Sequence, residues 1–397
     1  MSTRGDGADR PEGLAAPSCL LSRDFVLICL ATGFFYLSFY LILPVMPLYV
    51  AALGGTSAQI GLIIGLFAFM AMILRPPSGW LIDTRGNRPI LLVGMGIFLL
   101  ASLGYILAPS IHAILALRLF HGMGMGLFPT AATVVVAELA PPARRGEAMG
   151  WFGIANSVGL VIGPTVGPVV ASRLGFSALF LTAGGVAALG LTCILMISSI
   201  ANRPAPAQGL PLPRDFFSRA ALLPSALLMF LYVPYGTVVA FIPIIATQRG
   251  LTNPGLFYTV FAVAMLLVRA KAGELSDRRG RAFVILPGML LAALAMGVFG
   301  ATSGPGGVLA GAGILGVAFG SVQPALMALT TDRVPPEERG KAMGTFYTAW
   351  ELGIAAGAAG SGWLLAWMDF ASLFLVWITF PLCGSILTYW SRPRQRH

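Results

Sequence analysis

Twelve apolar stretches, each long enough to cross a lipid bilayer as a helix, constrain this chain more than any other feature. Their cores are residues 25–50, 57–81, 90–108, 111–137, 148–172, 176–199, 221–247, 255–275, 283–302, 306–330, 342–366 and 370–391. A helix rises 1.5 Å per residue, so about 20 apolar residues cross the hydrocarbon core. Only 10% of the residues are charged, well below the roughly 25% of soluble domains. The sequence predicts an all-α membrane protein with twelve transmembrane helices, numbered here as spans 1 to 12.

The longest connection divides these spans into two groups of six. It lies between spans 6 and 7 and is rich in proline and alanine, with flanking arginines. This pattern predicts a cytoplasmic N-terminal tail (1–24), an N-terminal six-helix bundle (25–200), a cytoplasmic linker (201–219), a C-terminal six-helix bundle (220–391) and a cytoplasmic C-terminal tail (392–397).

Basic residues predict the orientation of the spans. The tails and the even-numbered connections contain nineteen arginines and lysines, and the odd-numbered connections contain two, Arg173 and Arg249. Connections rich in basic residues stay in the cytoplasm, so both termini are expected there. The net charge of +10 is explained by this topology, and no nucleic-acid partner is expected.

The two halves repeat each other. Shifting the sequence by 194 residues superposes Arg75 on Arg269, Asp83 on Asp277 and Gly86 on Gly280. The same shift superposes "ELAPPARRGEAMG" on "DRVPPEERGKAMG" without a gap. Two charged connections that repeat at one offset indicate parallel repeats, an arrangement known in secondary transporters.

Four motifs carry a family resemblance. The connection between spans 2 and 3 has the pattern G-x-L-a-D-r-x-G-r-k, although Thr84 replaces the usual arginine and Arg85 follows it. This gating loop and its copy contain Gly79, Asp83, Arg85, Gly86, Arg88, Gly273, Asp277 and Gly280. Span 4 contains "LRLFHGMGMG" with an embedded Arg118, and span 1 contains "PVMP". Span 5 has the exporter pattern G-x8-G-x3-GP-x2-GG, in which Gly150, Gly159, Gly163, Pro164 and Gly167 fit and Pro168 replaces the last glycine.

Over residues 25–391 the chain therefore resembles the major facilitator superfamily, in particular its twelve-helix drug or metabolite:proton antiporters. The resemblance implies two pseudo-symmetric six-helix bundles that rock about a central cavity. It also implies a monomeric, multi-pass protein of the bacterial cytoplasmic (inner) membrane, working in the lipid bilayer.

The glycines of span 5 have two interpretations. Glycine has no side chain, so Gly150, Gly159, Gly163 and Gly167 lie in one band that permits close approach by another helix. Pro164 removes one backbone hydrogen bond and predicts a kink. The band is interpreted as a compliant interface with the opposite half that gates the cavity. The alternative is ordinary tight packing of membrane helices.

Three ionisable residues within spans are candidates for proton coupling. Glu351 lies about nine residues into span 11, hence roughly 13 Å deep, and its carboxylate could bind a proton and a cationic substrate alternately. Arg118 lies inside span 4, where a charge is costly unless it faces a partner or a cavity. His121 follows one turn later on the same face. The alternatives are a hydrogen-bonded acid, an arginine anchored to backbone carbonyls and a hydrogen-bonded histidine.

Polar and aromatic residues within spans are candidates for the substrate cavity. They are Tyr36, Tyr40, Asn156, Tyr232, Tyr235, Gln323, Tyr347 and Trp350. Aromatic rings can bind a flat or cationic ligand, although packing roles are equally open. Because a helix N-terminus carries a partial positive charge, we expect Asp83 to lie near the start of span 11 and Asp277 near the start of span 5. There they would latch the two halves together on the inside when the cavity opens outward.

These features predict proton-coupled efflux of a small organic molecule by alternating access. A proton symporter or uniporter for a sugar, organic acid or other small metabolite is the alternative within transport, and a membrane enzyme or sensor is the alternative outside it. No catalytic triad, phosphate-binding loop or cluster of metal ligands is visible in the sequence. We therefore expect neither an enzyme nor a cofactor nor a bound metal.

Overall fold

The computed structural model describes residues 21–108, 110–141, 144–198, 217–335 and 338–391. These residues form helices joined by short connections, and none of them is in a β-strand. Nearly all of the predicted N-terminal tail, most of the predicted linker and the whole C-terminal tail lie outside the described residues.

Twelve membrane-length helical elements follow the predicted spans to within four residues at each end. The first, α1, consists of two segments, Arg23–Ile42 and Val45–Ala52. The others are α2 (Ser57–Arg85), α3 (Asn87–Leu107), α4 (Ile111–Leu139), α5 (Arg145–Leu174), α6 (Phe176–Met196), α7 (Leu222–Gln248), α8 (Leu256–Arg279), α9 (Arg281–Ala301), α10 (Pro305–Asp332), α11 (Arg339–Leu364) and α12 (Phe370–Trp390). α1 is interrupted at Pro44, which lacks the backbone N–H needed to continue the helix.

Eleven of these elements are long and apolar enough to cross a membrane. The twelfth, α11, has 26 residues and is also long enough, but it is rich in glycine and contains Glu351. It is covered by α2 and α7, so its polar residues are shielded from lipid. The chain is a multi-pass membrane protein.

The packing of the helices repeats after six elements. In the first half α1 packs on α5 and α6, α2 packs on α4, and α3 packs on α4 and α6. In the second half α7 packs on α11 and α12, α8 packs on α10, and α9 packs on α10 and α12. This correspondence confirms the predicted fold of two pseudo-symmetric six-helix bundles.

Two glycines form matching turns in the repeated charged connections. Gly86 lies between α2 and α3 with φ 83°, and Gly280 lies between α8 and α9 with φ 92°. Side chains rarely adopt this backbone conformation, which explains the glycine at both positions. The connections α2–α3, α4–α5, α8–α9 and α10–α11 lie at one end of the bundle, called here the basic end, and the other end is called the opposite end.

The two halves meet along α2 and α11. Near the opposite end, a Cβ on Gly61 would overlap the carbonyl oxygen of Ala358, and a Cβ on Gly362 would lie 2.5 Å from the carbonyl oxygen of Ser57. The missing side chains allow the two backbones to touch. This contact positions the middle of α2 against the middle of α11, where the candidate site lies.

Candidate functional site

A buried ion pair joins the two halves in the middle of the protein. Arg75 of α2 donates from Nη2 to Oε1 of Glu351 on α11 at 2.7 Å. The side chain of Glu351 is 7% exposed and that of Arg75 is 21% exposed. The Arg75 guanidinium also lies over the ring of Tyr347, 5.3 Å from its centroid. Because the two charges belong to different halves, the pair can respond to movement of one half against the other.

Arg75 was missing from the residues that sequence reasoning assigned to the site. The signal was present, since Arg75 lies inside predicted span 2 and an arginine within a span needs a partner. It lies ten residues before Arg85, about 15 Å from the end of α2. In this structure the cation beside Glu351 belongs to the chain itself, because Arg75 occupies that position.

Five aromatic rings of α7, α10 and α11 contact one another beside this pair. Tyr232 contacts Trp350 with ring centroids 4.5 Å apart, and Tyr235 contacts Phe319 at 4.6 Å. Tyr347 lies 6.0 Å from Trp350. On α1, Tyr36 and Tyr40 stack with centroids 6.1 Å apart.

Electrostatic contacts connect the rings of α1 to the ion pair. Tyr36 lies within electrostatic range of Arg75, Tyr347 and Glu351, and Tyr40 lies within range of Tyr235 and Glu351. The structure therefore brings six of the eight predicted cavity residues together, from α1, α7 and α11. We call the set Tyr36, Tyr40, Tyr232, Tyr235, Tyr347 and Trp350 the aromatic cluster.

The other two predicted cavity residues lie on different helices. Asn156 is half-buried on α5, and its Oδ1 atom has no hydrogen-bond partner among the described residues. Gln323 is buried on α10. In the described part of the chain neither residue forms a hydrogen bond with the aromatic cluster or with the Arg75–Glu351 pair.

Arg118 and His121 form a separate cluster inside the N-terminal half. Arg118 is 1% exposed, donates from Nε to the carbonyl oxygen of Ile63 at 2.9 Å and lies over the Phe67 ring at 4.3 Å. Nδ1 of His121 lies 3.1 Å from the hydroxyl of Tyr105. No hydrogen bond or ion pair joins this cluster to Glu351 within the described residues. The contacts of Arg118 fit the anchoring alternative.

Replacing Arg118 with lysine should lower the stability of the protein. The ammonium group is unable to keep both the hydrogen bond to Ile63 and the stacking on Phe67, and a lost hydrogen bond to a charged group costs about 1.5–3 kcal/mol. Unfolding of purified protein in detergent, titrated with a denaturant, measures the change. Arg144→Lys, at an exposed pair with Glu147, is the matched control and should have little effect. Equal losses in both variants would contradict the anchoring role.

The crossed latch at the basic end does not form in this structure. Asp277 pairs with Arg281, whose Nε also donates to Asp332 at 2.9 Å. Asp83 is exposed and has no hydrogen bond or ion pair within the described residues. Arg88 of the same loop donates to the carbonyl oxygen of Leu195 at 3.1 Å. Each of these contacts joins residues of the same half, and none of them crosses between the halves.

The glycine band of α5 faces a different neighbour from the one predicted. A Cβ on Gly159 would lie 2.8 Å from the backbone nitrogen of Leu37, and Cβ atoms on Gly163 and Gly167 would meet Tyr40 and Leu41. All three neighbours belong to α1. The prediction that this band faces the opposite half is wrong here, because the three glycines lie on the side of α5 that packs on α1. Gly150 has no neighbour within 4 Å of its Cβ position.

α5 contacts the other half through the residues beside that band. A Cβ on Gly255 would overlap the carbonyl oxygen of Pro164, and the hydroxyls of Thr165 and Thr259 are hydrogen-bonded. Asn253 donates to the carbonyl oxygen of Thr165 at 3.0 Å. We call these contacts the α5–α8 seal. It lies at the opposite end.

Toward the basic end α5 and α8 are separated. Gly150 and Gly153 on α5 and Gly273 on α8 have no heavy atom within 4 Å of their Cβ positions. The α5–α8 contact is therefore closed at the opposite end and open at the basic end, as expected for one state of an alternating-access cycle.

Comparison with known proteins agrees with this architecture. The family model described as Major Facilitator Superfamily matches residues 28–306 and 254–397. An uncharacterized MFS-type transporter of Methanocaldococcus jannaschii is 24% identical over 93% of this chain and 98% of its own length. The multidrug resistance protein MdtG of Serratia proteamaculans is 27% identical over 92% of both chains. The inner membrane transport protein YajR of Escherichia coli is 24% identical over 86% of this chain and 79% of its own.

Solved structures show the same fold at lower identity. A POT family transporter superposes with a TM-score of 0.81 at 14% identity, over 92% of this chain and 95% of its own. The nucleoside transporter NupG superposes with a TM-score of 0.78 at 12% identity, over 92% of this chain and 99% of its own. With the family match along nearly the whole length, the repeated six-helix packing and the charged pair between the halves, the chain belongs to the Major Facilitator Superfamily.

Proposed function

We propose that this transporter exchanges protons for a small organic molecule and moves that molecule out of the cell. The observation that carries the proposal is the Arg75–Glu351 pair, which connects the two halves near the middle of α2 and α11. Protonation of Glu351 would remove its charge and break this contact, whereas loss of the proton would restore it. Proton binding would thereby change how firmly α2 is held against α11.

The proposed direction rests on two further observations. The glycine and proline pattern of α5 resembles that of exporters, and one relative is named a multidrug resistance protein. The basic end is proposed to face the cytoplasm because basic residues concentrate there. With that orientation, the structure has the form that receives a substrate from the cytoplasm.

The proposed moving parts are the two bundles, residues 25–200 and 220–391, in a monomer of a bacterial inner membrane. The α5–α8 seal would open while the basic ends of α5 and α8 approach each other. Asp83 and Asp277 would form their crossed contacts only in that second state. Arg118 and His121 would support proton coupling indirectly, by holding α4 against α2.

A second function, proton-coupled uptake of an organic acid, is favoured by one observation. The negative charge of Glu351 is already paired with Arg75, so a cationic substrate would have to displace the arginine. An anionic substrate would instead find more positive charge when Glu351 is protonated. A proton and an anion would then bind together, which is the requirement for symport.

Proton movement in proteoliposomes separates the two directions of coupling. Cells expressing the protein or Glu351→Gln are first compared for resistance to a panel of compounds. The compound with the largest difference is then added outside vesicles that contain a pH-sensitive dye, with protein-free vesicles as control. Exchange predicts that the lumen becomes more alkaline as the compound enters, and symport predicts acidification. A lumenal pH equal to that of the control would contradict both functions.

A further inference from the structure

Arg269 of α8 is a second arginine at the depth of Arg75. It lies ten residues before Arg279, the last residue of its helix, hence about 15 Å from the basic end. Arg269 is exposed, and no hydrogen bond or ion pair joins it to another residue in the part of the chain that the structure describes. A charge at this depth is costly unless it faces water or an opposite charge.

The side chain of Arg269 lies on the face of α8 that is turned toward the interior of the protein. Met265, Ala272 and Ser276 are buried at helical spacing on the same face. Arg269 also lies within electrostatic range of Tyr232 on α7 and Tyr347 on α11. Tyr347 is also the ring over which Arg75 lies. The two arginines thus approach one aromatic cavity from α2 and α8, the corresponding helices of the two halves.

The internal repeat places an acidic residue opposite Arg75 but none at the equivalent position opposite Arg269. The shift of 194 residues that superposes Arg75 on Arg269 superposes Ser157 of α5 on Glu351. The Ser157 hydroxyl donates to the carbonyl oxygen of Gly153 in its own helix. Within the described residues, the ion pair between α2 and α11 consequently has no counterpart between α8 and α5.

Nearby acids on α8 are already paired. Glu274 forms an ion pair with Arg278 at 2.8 Å, and Asp277 pairs with Arg281. Arg75 and Glu351 neutralise each other, so among the described residues the charged groups near the aromatic cluster leave one positive charge, that of Arg269, uncompensated. Such a cavity favours an anion and disfavours a cation.

We propose that the substrate carries a carboxylate that binds Arg269, with a flat apolar body that packs on the aromatic cluster. This inference names the chemical class of the substrate and rests on the proposed transport function in its second form, symport, because an anion and a proton would bind together at the Arg75–Glu351 pair. The guanidinium group presents paired N–H donors that match the two oxygens of a carboxylate. Tyr232 and Trp350 offer apolar ring faces for the rest of the molecule.

Three probes of matched shape and different charge test the inference. Benzoate, benzamide and benzamidine are titrated by calorimetry into the purified full-length protein in a neutral detergent, which supplies no anionic headgroups. We expect benzoate to bind roughly tenfold or more tightly than benzamide, because it adds a charge-assisted hydrogen bond. Benzamidine should bind most weakly.

Variants connect this preference to Arg269. Arg269→Gln should bind benzoate and benzamide equally, and Arg269→Lys should keep part of the preference because it keeps the charge. Arg278→Gln, on the same helix at an exposed pair with Glu274, is the matched control and should keep the full preference. The thermal unfolding midpoint of each variant without ligand establishes that it is folded.

Two results would overturn the inference. One is that benzoate binds no more tightly than benzamide to the unmodified protein, whether both bind or neither does. The other is that the lysine variant and the glutamine variant both keep the full preference. Proton movement in vesicles is measured independently. If the lumenal pH did not change but the protein still bound benzoate more tightly than benzamide, the proposed function would be contradicted and the carboxylate site would not.

Discussion

Replacing Glu351 with glutamine should abolish transport driven by a pH gradient. Glutamine keeps the shape of the side chain but carries no charge and takes up no proton, so the contact with Arg75 at 2.7 Å no longer depends on protonation. We expect exchange of compound across vesicles with equal pH on both sides to persist, because the cavity is retained. The two fluxes, measured on the same preparation, separate loss of coupling from loss of binding.

The same variant should also be less stable. Breaking a buried ion pair by removing one partner typically costs about 3–5 kcal/mol, and the 21% exposure of Arg75 reduces this to about 1–3 kcal/mol. The double variant Arg75→Gln/Glu351→Gln should recover part of this loss, because it leaves no unpaired charge. Glu147→Gln, at an exposed pair with Arg144, is the matched control. A pH-driven flux in Glu351→Gln equal to that of the unmodified protein would remove this carboxyl from the coupling mechanism.

Replacing Gly255 with valine should prevent the α5–α8 seal from closing. Even a single carbon atom at this position would overlap the carbonyl oxygen of Pro164, and both partners are backbone atoms that have little room to move. Transport should fall at least about tenfold, as expected if the closed state becomes about 1.4 kcal/mol less favourable. The state that is open at the opposite end should become more populated.

Labelling of a single cysteine measures this shift. Thr165→Cys in a protein without other cysteines places a thiol inside the seal, where Thr165 contacts Thr259. A membrane-impermeant maleimide added at the opposite end should label it faster when Gly255→Val is present. Gly306→Val is the matched control, because Gly306 lies at the same end with open space around it. Equal labelling rates in the two valine variants would contradict the role of Gly255.

Local patterns in the sequence predicted most of the fold. The twelve spans follow from apolar length alone, since a helix must satisfy its own backbone hydrogen bonds in lipid. The repeated charged connections predicted the pseudo-symmetry, and Gly86 and Gly280 mark equivalent turns in the two halves. The aromatic residues Tyr232, Tyr235 and Trp350 were predicted to lie together because polar groups inside spans are rare and therefore informative, and their rings do contact one another.

The neighbours of each helix were harder to predict. The band of Gly159, Gly163 and Gly167 was correctly expected to permit close approach, but it approaches α1 and not the other half. Arg118 and Glu351 were grouped because both are charged residues inside spans, whereas the structure separates them. Glycine spacing and helical depth describe one helix at a time and carry no information about which helix lies beside it.

The sequence by itself determined the number of spans, the repeat and the presence of charges at membrane depth. These depend on the free energy of transferring single residues into lipid and on periodicity within one helix. Only the tertiary structure decided that Glu351 pairs with Arg75, 276 residues away, and that Arg269 has no such partner among the described residues. Pairing depends on which helices of the two halves are adjacent, and that is decided by the packing of all twelve.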